Sequence, residues 1–137
     1  MYKNMVFIDN EGEYLSTDRG IILKILDFGY LVSGAQSEIK TVTLKNNNDY
    51  PVYHTRLSVL NSVDADGVDI ELSKTSNPFK ASPDLDYGNT VILPGRSIDF
   101  YIRIDTKVKA QAILDFNIDV NVDKYEENSI KAAARNI

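Results

Sequence analysis

Strict alternation of apolar and polar residues marks the second half of the chain. Between residues 97 and 104 the apolar positions are Ile98, Phe100, Ile102 and Ile104. From residue 112 to residue 122 every even position is apolar, and the facing positions carry Asp115, Asn117, Asp119, Asn121 and, just beyond, Asp123. Side chains alternate across a strand, whereas a helix would scatter these positions around its circumference. The pattern predicts two strands, each with one buried face and one solvent face.

Shorter runs of the same kind precede these strands. They lie near residues 21–28, 42–45, 53–59 and 68–72, and turn-rich stretches at 46–51, 64–67 and 93–96 separate them. In the third run Tyr53, Thr55 and Leu57 alternate with His54 and Arg56, which places His54 on the solvent face. Short strands with antiparallel-type alternation predict an all-β, immunoglobulin-like antiparallel sandwich of about seven strands. Residues 73–89 have weak periodicity and are expected to cross from one sheet to the other.

The two ends of the chain differ from this pattern. Residues 1–20 are expected to form an N-terminal arm or hairpin, residues 21–123 the sandwich, and residues 124–137 a tail. The apolar run Val6-Phe7-Ile8 predicts an arm that adds a strand to another subunit, or that folds back on its own domain only in the isolated protein. Removing residues 1–15 is expected to abolish assembly but not folding. The alanines at 132–134 predict a short C-terminal helix that forms only when docked.

Several short motifs resemble those of a known domain family. They are Leu26-Asp27-Phe28-Gly29, Gly34, the run Val42-Thr43-Leu44-Lys45-Asn46, Pro51 and the turn Leu93-Pro94-Gly95-Arg96-Ser97. Together they resemble Hydin-type (ASH) and related sperm-protein-like immunoglobulin domains over roughly residues 23–122. The resemblance implies an immunoglobulin-like sandwich that decorates a larger assembly. It carries over no catalytic residue.

Composition and charge narrow the class of partner. The chain has 137 residues, and its 15 Lys and Arg against 20 Asp and Glu give a net charge of -5. No basic stripe is present for nucleic acid or anionic membranes, and cysteine is absent, which excludes thiolate chemistry and disulfides. The start lacks the apolar run of a signal peptide and no segment is long enough to span a membrane, so a virion or cytoplasmic location is expected.

The sequence offers few residues that could serve catalysis or bind a metal or cofactor. His54 is the one histidine of the sequence, and neither a nucleophile elbow nor a phosphate-binding glycine loop occurs. We therefore predict no enzyme activity, no catalytic residue, no cofactor and no metal site. Asp64, Asp66 and Asp69 form the one cluster that is similar to a calcium loop, but Gly67 comes too early for that motif. A solvated turn is expected there, and weak calcium binding from Asp64 to Asp69 stays open.

Two functional hypotheses follow. The first is a non-enzymatic structural or interaction module of a larger assembly, specifically a phage virion or tail component that forms a homo-oligomer or binds protein partners. The second is a carbohydrate- or cell-surface-binding sandwich that uses a stacking platform of Tyr50, Tyr53, Tyr87 and Tyr101. The polar face of the last strand is expected to be a solvated surface or a docking face for a basic or amide-rich partner.

Overall fold

The computed structural model is all-β, and its strands are antiparallel wherever they pair. It describes residues 4–17, 26–31, 34, 36–59, 68–106, 110–114 and 118–126. The strands are β1 (Met5–Asp9), β2 (Leu26–Leu31), β3 (Lys40–Asn46), β4 (Val52–Val59), β5 (Val68–Ser73), β6 (Asp84–Asp86), β7 (Ser97–Thr106), β8 (Ala110–Leu114) and β9 (Ile118–Lys124).

The strands form two main sheets around one core. A four-stranded sheet has the order β1-β3-β7-β5, a three-stranded sheet has the order β6-β4-β9, and β2 pairs with β8. Phe7, Phe100 and Ile102 from the first sheet and Leu57 and Val120 from the second belong to the same buried cluster. The predicted all-β antiparallel sandwich is thus confirmed.

Two details of the strand assignment differ from the sequence-based expectation. The alternating run 112–122 was expected to be one strand, but β8 pairs with β2 whereas β9 pairs with β4, so the run serves two sheets. Alternation fixes which face of a strand is buried and says nothing about its hydrogen-bonding partner, which is why the division was missed. The connection 73–89 does cross between sheets, and it also contains the short strand β6.

The N-terminal segment is part of the sandwich. Its β1 is an edge strand paired with β3, and residues 13–16 fold back on β1 as a small hairpin. Met5, Phe7 and Leu15 are fully buried, and the Phe7 ring packs edge-on against Phe100 at a centroid distance of 5.8 Å. In this single chain, Met5, Phe7 and Leu15 are therefore buried in the chain's own core, and the expected contact of the arm with another subunit stays a prediction.

The C-terminal expectation lies mostly outside the described residues. The helix predicted within 124–137 falls on residues of which only 124–126 are described, and none of the described residues is helical.

Candidate functional site

A β-bulge in the middle of β4 builds the most unusual surface of the described chain. Tyr53 pairs with Asp123 and Arg56 pairs with Asn121, so two residues of β4, His54 and Thr55, oppose one residue of β9. Such an insertion bends the strand and redirects side chains. Here it turns both Tyr53 and His54 outward, and their rings stack at a centroid distance of 3.7 Å.

His54 adopts a backbone conformation that side chains with a Cβ rarely take. Its φ is 53°, in the left-handed region, which costs on the order of 1–3 kcal/mol for a residue other than glycine. The surrounding backbone holds it there: the His54 N–H donates to the Gly88 carbonyl and the Tyr87 N–H donates to the Thr55 carbonyl, both at 2.9 Å. The bulge is therefore fixed by the turn that follows β6.

The His54 imidazole is oriented by a carboxylate across the sheet. Its Nδ1 lies 2.9 Å from Asp123 Oδ2, and the two side chains are 43% and 62% exposed. A neutral histidine that donates from Nδ1 to a carboxylate presents Nε2 as an acceptor. The pair is exposed enough to remain accessible to a partner. The Tyr53 ring stacks against the imidazole.

The neighbouring side chains of Asp86 and Asn121 are also held by hydrogen bonds. Asp86 Oδ1 accepts the Gly88 N–H at 2.9 Å, and Asp86 Oδ2 lies 3.8 Å from the Arg56 guanidinium. The Asn121 amide donates to Asp119 at 3.0 Å. Asp86 and Asn121 are thus oriented by contacts within the sheet although both side chains are exposed.

These residues line a surface depression with a volume of about 460 Å³, within the size range of small-ligand sites. Its lining consists of His54, Arg56, Asp86, Gly88, Asn121, Val122 and Asp123. We call this the His54 depression. The outward surface of the three-stranded sheet around it is the His54 face, made of Tyr53, His54, Arg56, Ser58, Asp84, Asp86, Asp119, Asn121 and Asp123.

Two hydroxyl groups beneath this face are buried. Thr55 Oγ1 and Tyr87 Oη have no hydrogen-bond partner among the described residues. Burial raises the pKa of Tyr87 to about 12, with smaller contributions from the nearby Asp99 carboxylate and Tyr101 phenol. Desolvation disfavours the charged phenolate, so the fold prefers the neutral ring.

The four tyrosines expected to form a stacking platform lie in different parts of the fold. Tyr53 lies on the His54 face with Tyr125 packed edge-on at 5.2 Å. Tyr50 lies under the Lys124 ammonium and Tyr87 under that of Lys74. Tyr101 belongs to β7 of the other sheet and lies near Tyr87. On the His54 face, the aromatic surface consists of Tyr53 with His54 and Tyr125 beside it.

The remaining predicted candidates are partly outside the described residues. Asp115 and Asn117 are not described, whereas Asp119, Asn121 and Asp123 line the outer side of β9 as expected. Asp64 and Asp66 also lie outside, so the calcium hypothesis stays a prediction. Among the side chains that the structure does describe, no three His, Asp or Glu residues are placed to share a metal ion.

Sequence analysis assigned His54 to the solvent face but missed the bulge. The sequence holds a signal, because the apolar residues Val52 and Leu57 are five positions apart, an odd step that a regular strand does not place on one face. The structure buries both of them, with Thr55 between them. An extra residue must therefore lie between Val52 and Thr55. Treating Tyr53 as part of the apolar face concealed that odd step.

Comparison with protein-family descriptions, with curated proteins and with solved structures gives no match. In the described part of the chain, no helix has the length and apolar character needed to cross a membrane.

Proposed function

We propose that this chain is a non-catalytic interaction module that docks into a larger protein assembly through the His54 face. The observation that carries the proposal is the strained His54 at a bulge, held by the Gly88 carbonyl and oriented by Asp123. Backbone strain of this kind persists where the surrounding structure enforces it, and it is concentrated at binding and catalytic sites. Bulges are likewise frequent where a side chain has to be aimed.

Binding is favoured over catalysis by the lining of the depression. An Asp–His pair can orient an imidazole, but acyl transfer also needs a nucleophile within hydrogen-bond reach of that imidazole. The residues that line the depression include no serine, threonine or tyrosine. The polar groups instead spread over β6, β4 and β9, as expected for a surface that matches another surface.

The assembly we propose is a phage virion or tail structure. The short immunoglobulin-like sandwich and the resemblance of its motifs to domains that decorate larger assemblies support this choice. Multiple copies of one small acidic domain would then contact protein neighbours in the particle.

Site-specific cross-linking tests the docking surface. A photoreactive amino acid replaces Asn121 on the His54 face, and in a matched variant it replaces Asp99 on β7 of the opposite sheet. The proposal expects a discrete heavier adduct from position 121 in cells that produce the assembly, and none from position 99. Folded variants that give no adduct from position 121, together with a clean monomer by light scattering at high concentration, would contradict it.

A glycan-binding function is the second candidate. The specific observation in its favour is that the depression offers donors and acceptors in several directions next to the aromatic stack of Tyr53 and His54. A glycan array with the parent chain and with Tyr53→Ala separates the candidates, because only glycan binding requires hits that the substitution removes.

A further inference from the structure

The antiparallel register arranges the His54 face into cross-strand rows. One row runs Asp84–Ser58–Asp119 and the next runs Asp86–Arg56–Asn121. Neighbouring strands lie about 4.8 Å apart, so the outer members of a row are separated by roughly 10 Å. A partner's side chain that lies over β4 can therefore reach polar groups of both outer strands.

The exposed charges of this face are predominantly negative. Asp84, Asp86 and Asp123 are exposed carboxylates, and Arg56 is the cation among the outward residues described on these strands. Lys74 and Lys124 lie at the margin, where each ammonium is placed over a tyrosine ring. The chain as a whole carries a net charge of -5. The complementary partner surface is therefore basic.

The ion pair between Arg56 and Asp86 on this face is weak, so a partner's charge can replace it. Arg56 and Asp86 are 59% and 60% exposed and their closest approach is 3.8 Å, beyond hydrogen-bond distance. Exposed pairs of this kind contribute about 0–1 kcal/mol. A partner cation that desolvates Asp86 or Asp123 would form a shorter, charge-assisted hydrogen bond in place of these contacts.

Building on the function proposed above, we propose that the His54 depression receives a lysine or arginine side chain of a partner protein. Asp86 and Asp123 accept hydrogen bonds from the incoming cation, and Asn121 contributes its amide. An arginine is the better match, because its planar fork bonds a carboxylate through two N–H groups.

The ionised residues that line the depression are Asp86, Asp123 and Arg56, which sum to one negative charge. A basic side chain of a partner is therefore complementary to this lining.

Fluorescence anisotropy of a labelled hexa-arginine peptide tests the proposal on the full chain at low ionic strength. The site variant combines Asp86→Asn with Asp123→Asn, which keeps the acceptors for Gly88 and His54. The matched control combines Asp99→Asn with Asp105→Asn on β7 of the opposite sheet, with the same change in net charge. We expect about a tenfold loss of affinity in the site variant and less than about twofold in the control.

Other results of these measurements would contradict the proposal in distinct ways. Equal losses in both double variants would overturn the site, because net charge alone would explain the binding. Absence of peptide binding, with the cross-link from position 121 retained, would overturn the basic partner and leave the interaction module intact. Binding of maltohexaose that the Asp86→Asn and Asp123→Asn variant loses would assign the depression to a glycan instead.

Discussion

The outer faces of the two sheets treat their charged residues in opposite ways. On the four-stranded sheet, Arg103 Nε bonds Glu71 at 2.7 Å, both side chains are about four-fifths buried, and Phe79 lies against the guanidinium at 4.1 Å. On the three-stranded sheet, Arg56 stands 3.8 Å from Asp86 and both are mostly exposed. The Arg103–Glu71 pair is therefore satisfied within the fold, whereas Arg56 and Asp86 stay accessible to solvent. Residues of the same charge thus differ between the two sheets in burial and in the length of their contacts.

The largest expected effect tests whether the four-stranded sheet depends on its N-terminal strand. Phe7→Ala removes a fully buried ring that packs against Phe100, and such truncations cost about 3–5 kcal/mol. Urea unfolding should show this loss, whereas Leu93→Ala at an exposed turn should stay within about 0.5 kcal/mol of the parent. A stable Phe7→Ala protein would restore the view of residues 1–15 as an arm outside the core.

The second prediction contrasts the two arginines directly. Arg103→Ala removes a partly buried ion pair and a cation–π contact, and we expect a loss of about 1–3 kcal/mol in the free energy of unfolding. Arg56→Ala removes an exposed pair and should cost about 0.5 kcal/mol or less. Similar losses in the two variants would mean that the faces do not differ in the way described here.

The third prediction concerns the strain at His54. Glycine adopts a φ of 53° without the Cβ penalty, so His54→Gly should change stability by about 1 kcal/mol in the favourable direction relative to His54→Ala. Alanine keeps the Cβ and loses the same ring contacts, which makes it the matched control. Equal midpoints in chemical unfolding would show that the bulge holds no strain.

The smallest expected effect is a loss of stability at alkaline pH that depends on Tyr87, which is buried beneath the His54 face. The pKa of Tyr87 is raised by burial to about 12, above its ordinary value of 10.0. The unfolded chain therefore releases this proton first, so the contribution of the neutral phenol is fully present below pH 10 and is lost as the pH rises toward 12. Tyr87→Phe should lose less stability than the parent across that window, while Tyr14→Phe, which changes an exposed ring, should follow the parent. Identical pH profiles for Tyr87→Phe and the parent would contradict the burial argument.

Several local features could be predicted because neighbouring residues determine them. The turn at Pro94-Gly95 has the Arg96 N–H bonded to the Leu93 carbonyl at 3.0 Å, with a φ of 75° at Gly95. In the turn after β3, the Asn46 amide donates to the Tyr50 carbonyl, four residues further along, at 3.0 Å. Alternation likewise placed Phe100 and Ile102 inside. Each of these depends on short-range geometry or on the period of a strand.

The sequence by itself determined the all-β class, the buried face of most strands and the chemistry of the turns, because these follow from residues close together in the chain. Only the tertiary structure decided that β8 and β9 join different partners, that Phe7 belongs to the core, and that His54 meets Asp123 across a bulge. Those outcomes depend on which segments pair over long separations, and an alternating pattern is compatible with many pairings. The candidate site is formed by residues 54, 86 and 123 from three separate strands, so it exists only once the register of those strands is set.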